Sequence, residues 1–423
     1  MQTQRETRVR VRQFLGILGA ASLAACGGGG FGCGDFGVGP CGPTPKFETA
    51  IDVAVADFNG DGRPDVALPV DEGANTPGVV AVFEHANVAD KGYGPRTDYP
   101  VAISFPSRII AADLDGDGRP DLITATAEST SSTVALLLNN TGNPGTFRAG
   151  QTLSVPYVND IAVADLNGDS RPDLIIAGSS LMVALQNTGT PGSFAPPMTL
   201  YASGSSSFDS VAVGDLDGDG TPDVAVADDT GVTVLFLTPG AATPTVARSV
   251  RVYTNPTPSP NTGLNAVAIA DVDGDGRNDL VIADGVNSVV AAILQSHITP
   301  GEFMQAVTYA LPATDSGFDR LVIVDLNGDG HADIVVAASS AVLVYLQNAS
   351  QPGTFLPASS YAASLSANGV AVADVDGDGL PDIVSESGTG ASLPIGALGP
   401  PGVLYQDPAN PGHFLPMQDL QTQ

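Results

Sequence analysis

The chain alternates apolar and polar residues in short runs. A period of two marks "DVAVAD" (52–57), "DIAVAD" (160–165) and "GVAVAD" (369–374), the pattern of a half-buried strand. Each run leads into an Asp- and Gly-rich stretch, and then into an unbroken apolar run such as "LIIAG" (174–178) or "LVIAD" (280–284). A third run comes next, such as "TVALLLN" (133–139) or "AVLVYLQN" (341–348). A turn then opens a fourth, more polar strand. In five repeats that turn is PGxF, at 144–147, 191–194, 300–303, 352–355 and 411–414; repeats one and four use other Gly/Pro turns. No amphipathic helical pattern of useful length is present. The order predicts an all-β chain of repeats, each with four short strands.

The Asp/Gly stretch sets the period. It occurs seven times, as "DFNGDGRPD" (57–65), "DLDGDGRPD" (113–121), "DLNGDSRPD" (165–173), "DLDGDGTPD" (215–223), "DVDGDGRND" (271–279), "DLNGDGHAD" (325–333) and "DVDGDGLPD" (374–382). Successive starts are 56, 52, 50, 56, 54 and 49 residues apart. A unit of this size is one propeller blade, and seven blades suit a closed ring. The alternative, a calcium-binding β-roll, has a far shorter repeat of about nine residues. The last repeat carries its own fourth strand at 413–421. Closure is therefore expected from packing of the first blade on the last, with "KFETA" (46–50) as a candidate aid.

The motif has the chemistry of a calcium loop. It begins like an EF-hand, but position 12 of the second copy is Thr124 rather than Glu, and strands flank it instead of helices. Oxygens come from position 1 (Asp57, Asp113, Asp165, Asp215, Asp271, Asp325, Asp374) and position 3 (Asn59, Asp115, Asn167, Asp217, Asp273, Asn327, Asp376). Position 5 adds Asp61, Asp117, Asp169, Asp219, Asp275, Asp329 and Asp378. Position 9 adds Asp65, Asp121, Asp173, Asp223, Asp279, Asp333 and Asp382. The backbone carbonyl at position 7 completes each set, from Arg63, Arg119, Arg171, Thr221, Arg277, His331 and Leu380. Gly at positions 4 and 6 permits a tight, partly left-handed turn. Ser170 breaks that rule in copy three, which predicts a strained and weaker site. The copies hold 25 carboxylates, and seven calcium ions would move the formal charge from −30 to −16. The bland alternative is an Asp/Gly turn that holds no metal.

The "VAVADxNGDGxPDLxV" pattern resembles the FG-GAP and VCBS repeats found in the integrin α-subunit head and in many bacterial surface proteins. The resemblance covers roughly residues 47–423 and implies a seven-bladed β-propeller with a calcium loop between the first and second strands of each blade. It also implies a ligand site on the opposite face. Six residues before the motifs stand Asn159, Asp209, Asn265, Asp319 and Asn368, with Ser107 and Ile51 in repeats two and one. They open the innermost strand and are expected to ring the mouth of the central channel, as ligand contacts or as strand-starting Asx turns. Phe105, Arg108, Tyr157, Phe208, Phe318 and Arg320 lie close by in sequence. Long insertions at 255–265 and 388–402 are further candidates for function.

Composition adds limits. Gly (50) and Pro (33) are abundant and Trp is absent, as expected for many short strands joined by turns. The charge of −30 argues against nucleic acid. Residues 1–25 read as an export signal, with Arg5, Arg8, Arg10 and Arg12 before the apolar "FLGILGAASL" (14–23). "LAAC" (23–26) resembles a bacterial lipobox, which makes Cys26 the lipidated residue; an ordinary cleaved signal is the alternative. Residues 26–46 form a Gly-rich linker in which Cys33 and Cys41 can pair in an oxidising compartment. The four histidines, His85, His297, His331 and His413, have no neighbouring motif for a zinc site or a catalytic triad. These features predict a calcium-stabilised lipoprotein of the bacterial cell envelope. It is expected to be a binding module and not an enzyme, with an envelope protein or glycan as partner. A lyase-like carbohydrate-active enzyme and a lectin on the same scaffold are the rivals.

Overall fold

The computed structural model describes residues 47–50, 52–72, 76–85, 92–126, 132–202, 207–256, 266–311, 318–338, 340–363, 369–386, 393–394 and 401–420. The export signal, Cys26, Cys33, Cys41 and most of both insertions lie outside these residues. No helix among the described residues is long and apolar enough to cross a membrane.

Seven antiparallel sheets follow one another along the chain. Blade three shows the plan: Asp160–Ala164, Asp173–Ala177, Leu181–Ala184 and Met198–Tyr201 pair in that order. Register is tight at the motif, where Ala164 faces Asp173 across the hairpin. The sequence order of strands is thus their order from axis to rim.

Burial explains the composition of each strand. Second strands such as Asp121–Thr126 and Asp223–Asp228 are buried along their whole length, because a neighbouring blade covers each face. Outer strands such as Thr97–Pro100 and Ser359–Ala362 are largely exposed and polar. Position 2 of every motif (Phe58, Leu114, Leu166, Leu216, Val272, Leu326, Val375) is buried between blades. Seven apolar clusters result, each shared by two adjacent blades.

Ring closure uses the same packing. Val375, Val384, Val403 and Leu420 of blade seven join Val66, Leu68 and Val70 of blade one in a single cluster. Blade seven keeps its own outer strand, Gln418–Asp419. The N-terminal segment helps, as "KFETA" foreshadowed. Phe47–Ala50 pairs with Asp65–Asp71 of blade one, and also with Leu393–Pro394 from the insertion of blade seven. The long insertion therefore stitches the last blade to the first.

Candidate metal loops and channel mouth

All seven loops share one internal geometry. The position 1 carboxylate accepts the N–H groups of positions 4 and 6, as Asp113 does from Gly116 and Gly118 at 2.8 and 2.9 Å. The position 5 carboxylate accepts the N–H of position 7, as in Arg119 to Asp117 at 2.9 Å. Positive φ carries the turn, +76° at Gly116 and +83° at Gly118. In copy three Ser170 takes φ +64°, so the strain expected there is present.

The carboxylates converge. In each copy with Asp at position 3, oxygens from positions 1, 3 and 9 lie within 4.8 Å of one another. Asp217 Oδ1 is buried with no hydrogen-bond partner, an acceptor that a cation would satisfy. These donors fit a divalent ion. Copy one has Asn59 at position 3, but Glu84 lies beside it, near Gly145 of blade two. Burial, and then the Asp61 carboxylate, raise Glu84 above its ordinary range.

Position 9 also works without a metal. Asp279 accepts the N–H of Val272 at the start of its loop (3.0 Å) and that of Gln295 at the end of the third strand (2.6 Å). The same pair of bonds recurs in every blade, so this Asp clamps three chain segments together.

At the end of the third strand, or in the isolated bridge two residues beyond it, five blades carry an amide side chain: Asn139, Gln186, Gln295, Gln347 and Gln406. Each reaches the preceding blade. Gln347 Nε2 donates to the Val272 carbonyl of blade five (2.6 Å) and to Ala332 of its own loop (2.8 Å). Its Oε1 accepts the N–H of Gly353 in the PGxF turn (3.4 Å). That turn lies against the neighbour's loop, where a Cβ on Gly353 would stand 3.0 Å from the Cβ of Asp273. His85 and Leu237 occupy this place in blades one and four.

At the other face, the candidate ligand residues divide. Asn265 and Asn368 lie outside the described residues, as does the side chain of Asp319. Asp209 is half-buried. Asn159 donates its amide to the Phe208 carbonyl of the next blade at 2.9 Å, and its own carbonyl accepts Arg108 Nε at 2.6 Å. In blades two, four and six this position is a β-bulge, at Ser107, Asp209 and Asp319. A bulge re-aims the following residue, and the following residues hold the network. Arg320 of blade six crosses the axis to Asp52 of blade one (Nη2–Oδ2 2.8 Å) and to Asp160 of blade three (Nη1–Oδ1 2.9 Å). Asp52 also accepts the N–H of Ile109 in blade two. Asp160 accepts the hydroxyl of Ser210 in blade four, which in turn accepts the N–H of Val267 in blade five. Gly369 of blade seven packs so close that a Cβ there would be 2.6 Å from Asp52 Cα.

The FG-GAP-like repeat family matches residues 113–176, 165–226, 218–282 and 325–385, more than half of the chain. The chain belongs to the FG-GAP-like repeat family. No curated protein matches it. Solved structures match its fold at low identity. One is a protein from Lactobacillus plantarum, with 13% identity, a TM-score of 0.55, and coverage of 85% of this chain and 96% of that one. BBS1N in complex with ARL6DN shows 12% identity and a TM-score of 0.51 over 81% and 93% of the two chains. A candidate 6-phosphogluconolactonase from Bacteroides uniformis shows 10% identity and a TM-score of 0.54 over 89% and 98%.

Electrostatics set the FG-GAP-like loops apart from ordinary Asp turns. Burial drives the position 9 carboxyls up, to about 6 for Asp121, Asp173 and Asp333 and about 7 for Asp65, Asp223, Asp279 and Asp382, although amide hydrogen bonds pull the other way. Burial and then a neighbouring carboxylate raise Asp115, Asp217 and Asp273 as well. Such groups are poorly placed to be charged alone.

Proposed function

We propose that this protein is a calcium-stabilised propeller that serves as an interaction module of the bacterial cell envelope, held there by a lipid on Cys26. Calcium takes six to eight oxygens. Seven loops of one backbone geometry, in four of which three carboxylates converge, carry the proposal: without a cation those carboxylates repel one another. The ion's chemistry here is structural. It would be held by the carboxylates or amides at positions 1, 3, 5 and 9 and by the carbonyl at position 7.

The binding surface is proposed to be the mouth face. The cross-axis network makes that face a rigid platform. It presents Phe105, an aromatic that is 45% exposed and held at φ +52°, a backbone setting that non-glycine residues adopt only when the surroundings enforce it. Aromatic side chains, Phe among them, are enriched at partner interfaces. One fold relative, BBS1N, was crystallised with a protein partner.

The test is affinity capture from the native envelope by the acylated protein, with calcium and with chelator. A partner retained with calcium, lost with chelator and weakened by Phe105→Ala is the expected result. Capture of nothing in either condition, while the purified protein degrades an acidic polysaccharide, contradicts the proposal.

A further inference from the structure

The PGxF turns carry one residue per blade to the same place. Met304, Leu356 and Leu415 follow the turn Phe in blades five, six and seven, where blades two and three have Arg148 and Ala195. Each donates its N–H to a third-strand segment at 2.8 Å, Met304 to the Leu294 carbonyl, Leu356 to Leu346 and Leu415 to Tyr405. Blade five adds Ile298, two residues before the turn Pro, where the other PGxF blades have Gly142, Gly189, Ser350 and Ala409. Ile298 is 90% exposed, and the other three are 39–45% exposed. Among the described residues, every strongly exposed large apolar side chain except Phe105 belongs to blades five to seven.

These side chains sit on the rim of the loop face. Their turns pack on the neighbouring loops, where a Cβ on Gly301, Gly353 or Gly412 would stand 2.9, 3.0 or 3.1 Å from the Cβ of Asp217, Asp273 or Asn327. The rim is also braced from behind. Tyr309 of blade five accepts the N–H of Phe355 at 3.1 Å, and Tyr361 of blade six accepts that of Phe414 at 3.2 Å. Leu356 and Leu415 are the next residues, so both are pinned between blades. Open grooves lie beside them, about 430 Å³ between blades five and six and about 250 Å³ between blades six and seven.

Exposed apolar side chains gathered on three consecutive blades mark a contact surface. Two observations indicate what covers it. Protein partners are anchored mainly by Trp, Tyr and Arg, with Leu under-represented. Here the tips are Ile, Met and Leu, and the half-buried Tyr309 and Tyr361 stand behind them, an order that suits the interface of a bilayer. The second observation is where the N-terminal chain arrives. Phe47–Ala50 pairs with Leu393–Pro394 of the blade-seven insertion and with the mouth-side end of Asp65–Asp71, so residues 27–46 join the ring beside blade seven. Twenty residues span at most about 70 Å. That is enough to pass a blade, since its seven-residue strand Asp65–Asp71 is about 23 Å long. Building on the lipid anchor proposed above, we infer that the loop-face rim of blades five to seven rests on the bilayer and inserts Ile298, Met304, Leu356 and Leu415 among the lipid headgroups. The mouth face is then left free for a partner. The contact is apolar, so neutral lipid suffices. The rival account is a second copy of the chain seated on the same rim.

The experiment uses the acylated chain in phosphatidylcholine nanodiscs with calcium. Its Ile, Leu and Met methyl groups are isotopically labelled for NMR, and a nitroxide is carried on some lipid headgroups. The methyl signals of Ile298, Met304, Leu356 and Leu415 should relax at least about threefold faster than that of Met198, on the outer strand of blade three. Replacing all four with Ser should slow the relaxation of Met417, in the groove between blades six and seven, at least about threefold. The melting temperature should not change, because the four side chains are exposed. Equal relaxation at Met198 and at the four rim residues overturns the inference, as does a Met417 signal that ignores the substitutions. Broadening that persists without the nitroxide and grows with protein concentration identifies a second copy on the rim, and overturns it too. The mass of the N-terminal peptide reports the anchor separately. Acyl chains on Cys26 with equal relaxation leave the anchor reading standing alone. A Cys26 without them overturns both.

Discussion

At position 9 a buried carboxyl answers to two masters, the backbone and a cation. Both of its oxygens take amide N–H groups, yet burial raises it from 3.8 to about 6 or 7. In that window the folded loop holds protons that the unfolded chain has released. Stability without metal must therefore fall as pH rises from about 4 to about 7. A cation competes with those protons, so its stabilising effect must grow over the same range. Thermal melts from pH 4.5 to 7.5 should show a falling midpoint in chelator and a widening gap to the calcium sample. A gap that narrows with rising pH contradicts this. The loop residues were legible in the sequence because their spacing repeats seven times. The clamp role of position 9 was not, because its partners, such as Gln295 and Val272, come from elements that only the blade brings together.

Among the strands, the amide at the end of the third joins blade to blade. Gln347 satisfies a buried carbonyl of the preceding blade and a part-buried one of its own. Removing it leaves the buried Val272 acceptor unpaired, which costs about 1–3 kcal/mol. Chemical denaturation of Gln347→Ala should show a loss of that size, against less than about 0.5 kcal/mol for an exposed control, Gln351→Ala. Equal small effects would mean that the staple is idle. The four-strand order, the PGxF turns and the fully buried second strands were readable from periodicity. The staple was not singled out, since a polar residue at a strand end reads as surface. Its signal was present as the recurring Gln in "LQN" and "LYQD". Of the expected mouth residues, Asn265, Asn368 and the side chain of Asp319 lie outside the described residues, and Asn159 bonds the Phe208 carbonyl of the next blade. The cross-axis pairs were not legible, since their partners come from distant blades and the bulges at Ser107, Asp209 and Asp319 leave no mark on apolar alternation.

As a whole molecule, the protein is a ring closed by packing, and two of its ties join parts of the chain far apart in sequence. One tie is the pairing of Phe47–Glu48 with Leu393–Pro394. The other is Arg320, whose partners in blades one and three lie across the axis, a contact that no local pattern announces. Replacing Arg320 with Met would strand two carboxylates that are 2% and 6% exposed, at a cost of about 3–5 kcal/mol. Denaturation of Arg320→Met should show that loss. Wild-type stability would mean the network is incidental. The seven loops are proposed to hold the ring together by binding calcium. A thermal melt of the purified protein, in chelator and after calcium is restored, tests that role most directly. Melting temperature should fall markedly with chelator and recover with calcium. An unchanged melting temperature would contradict it.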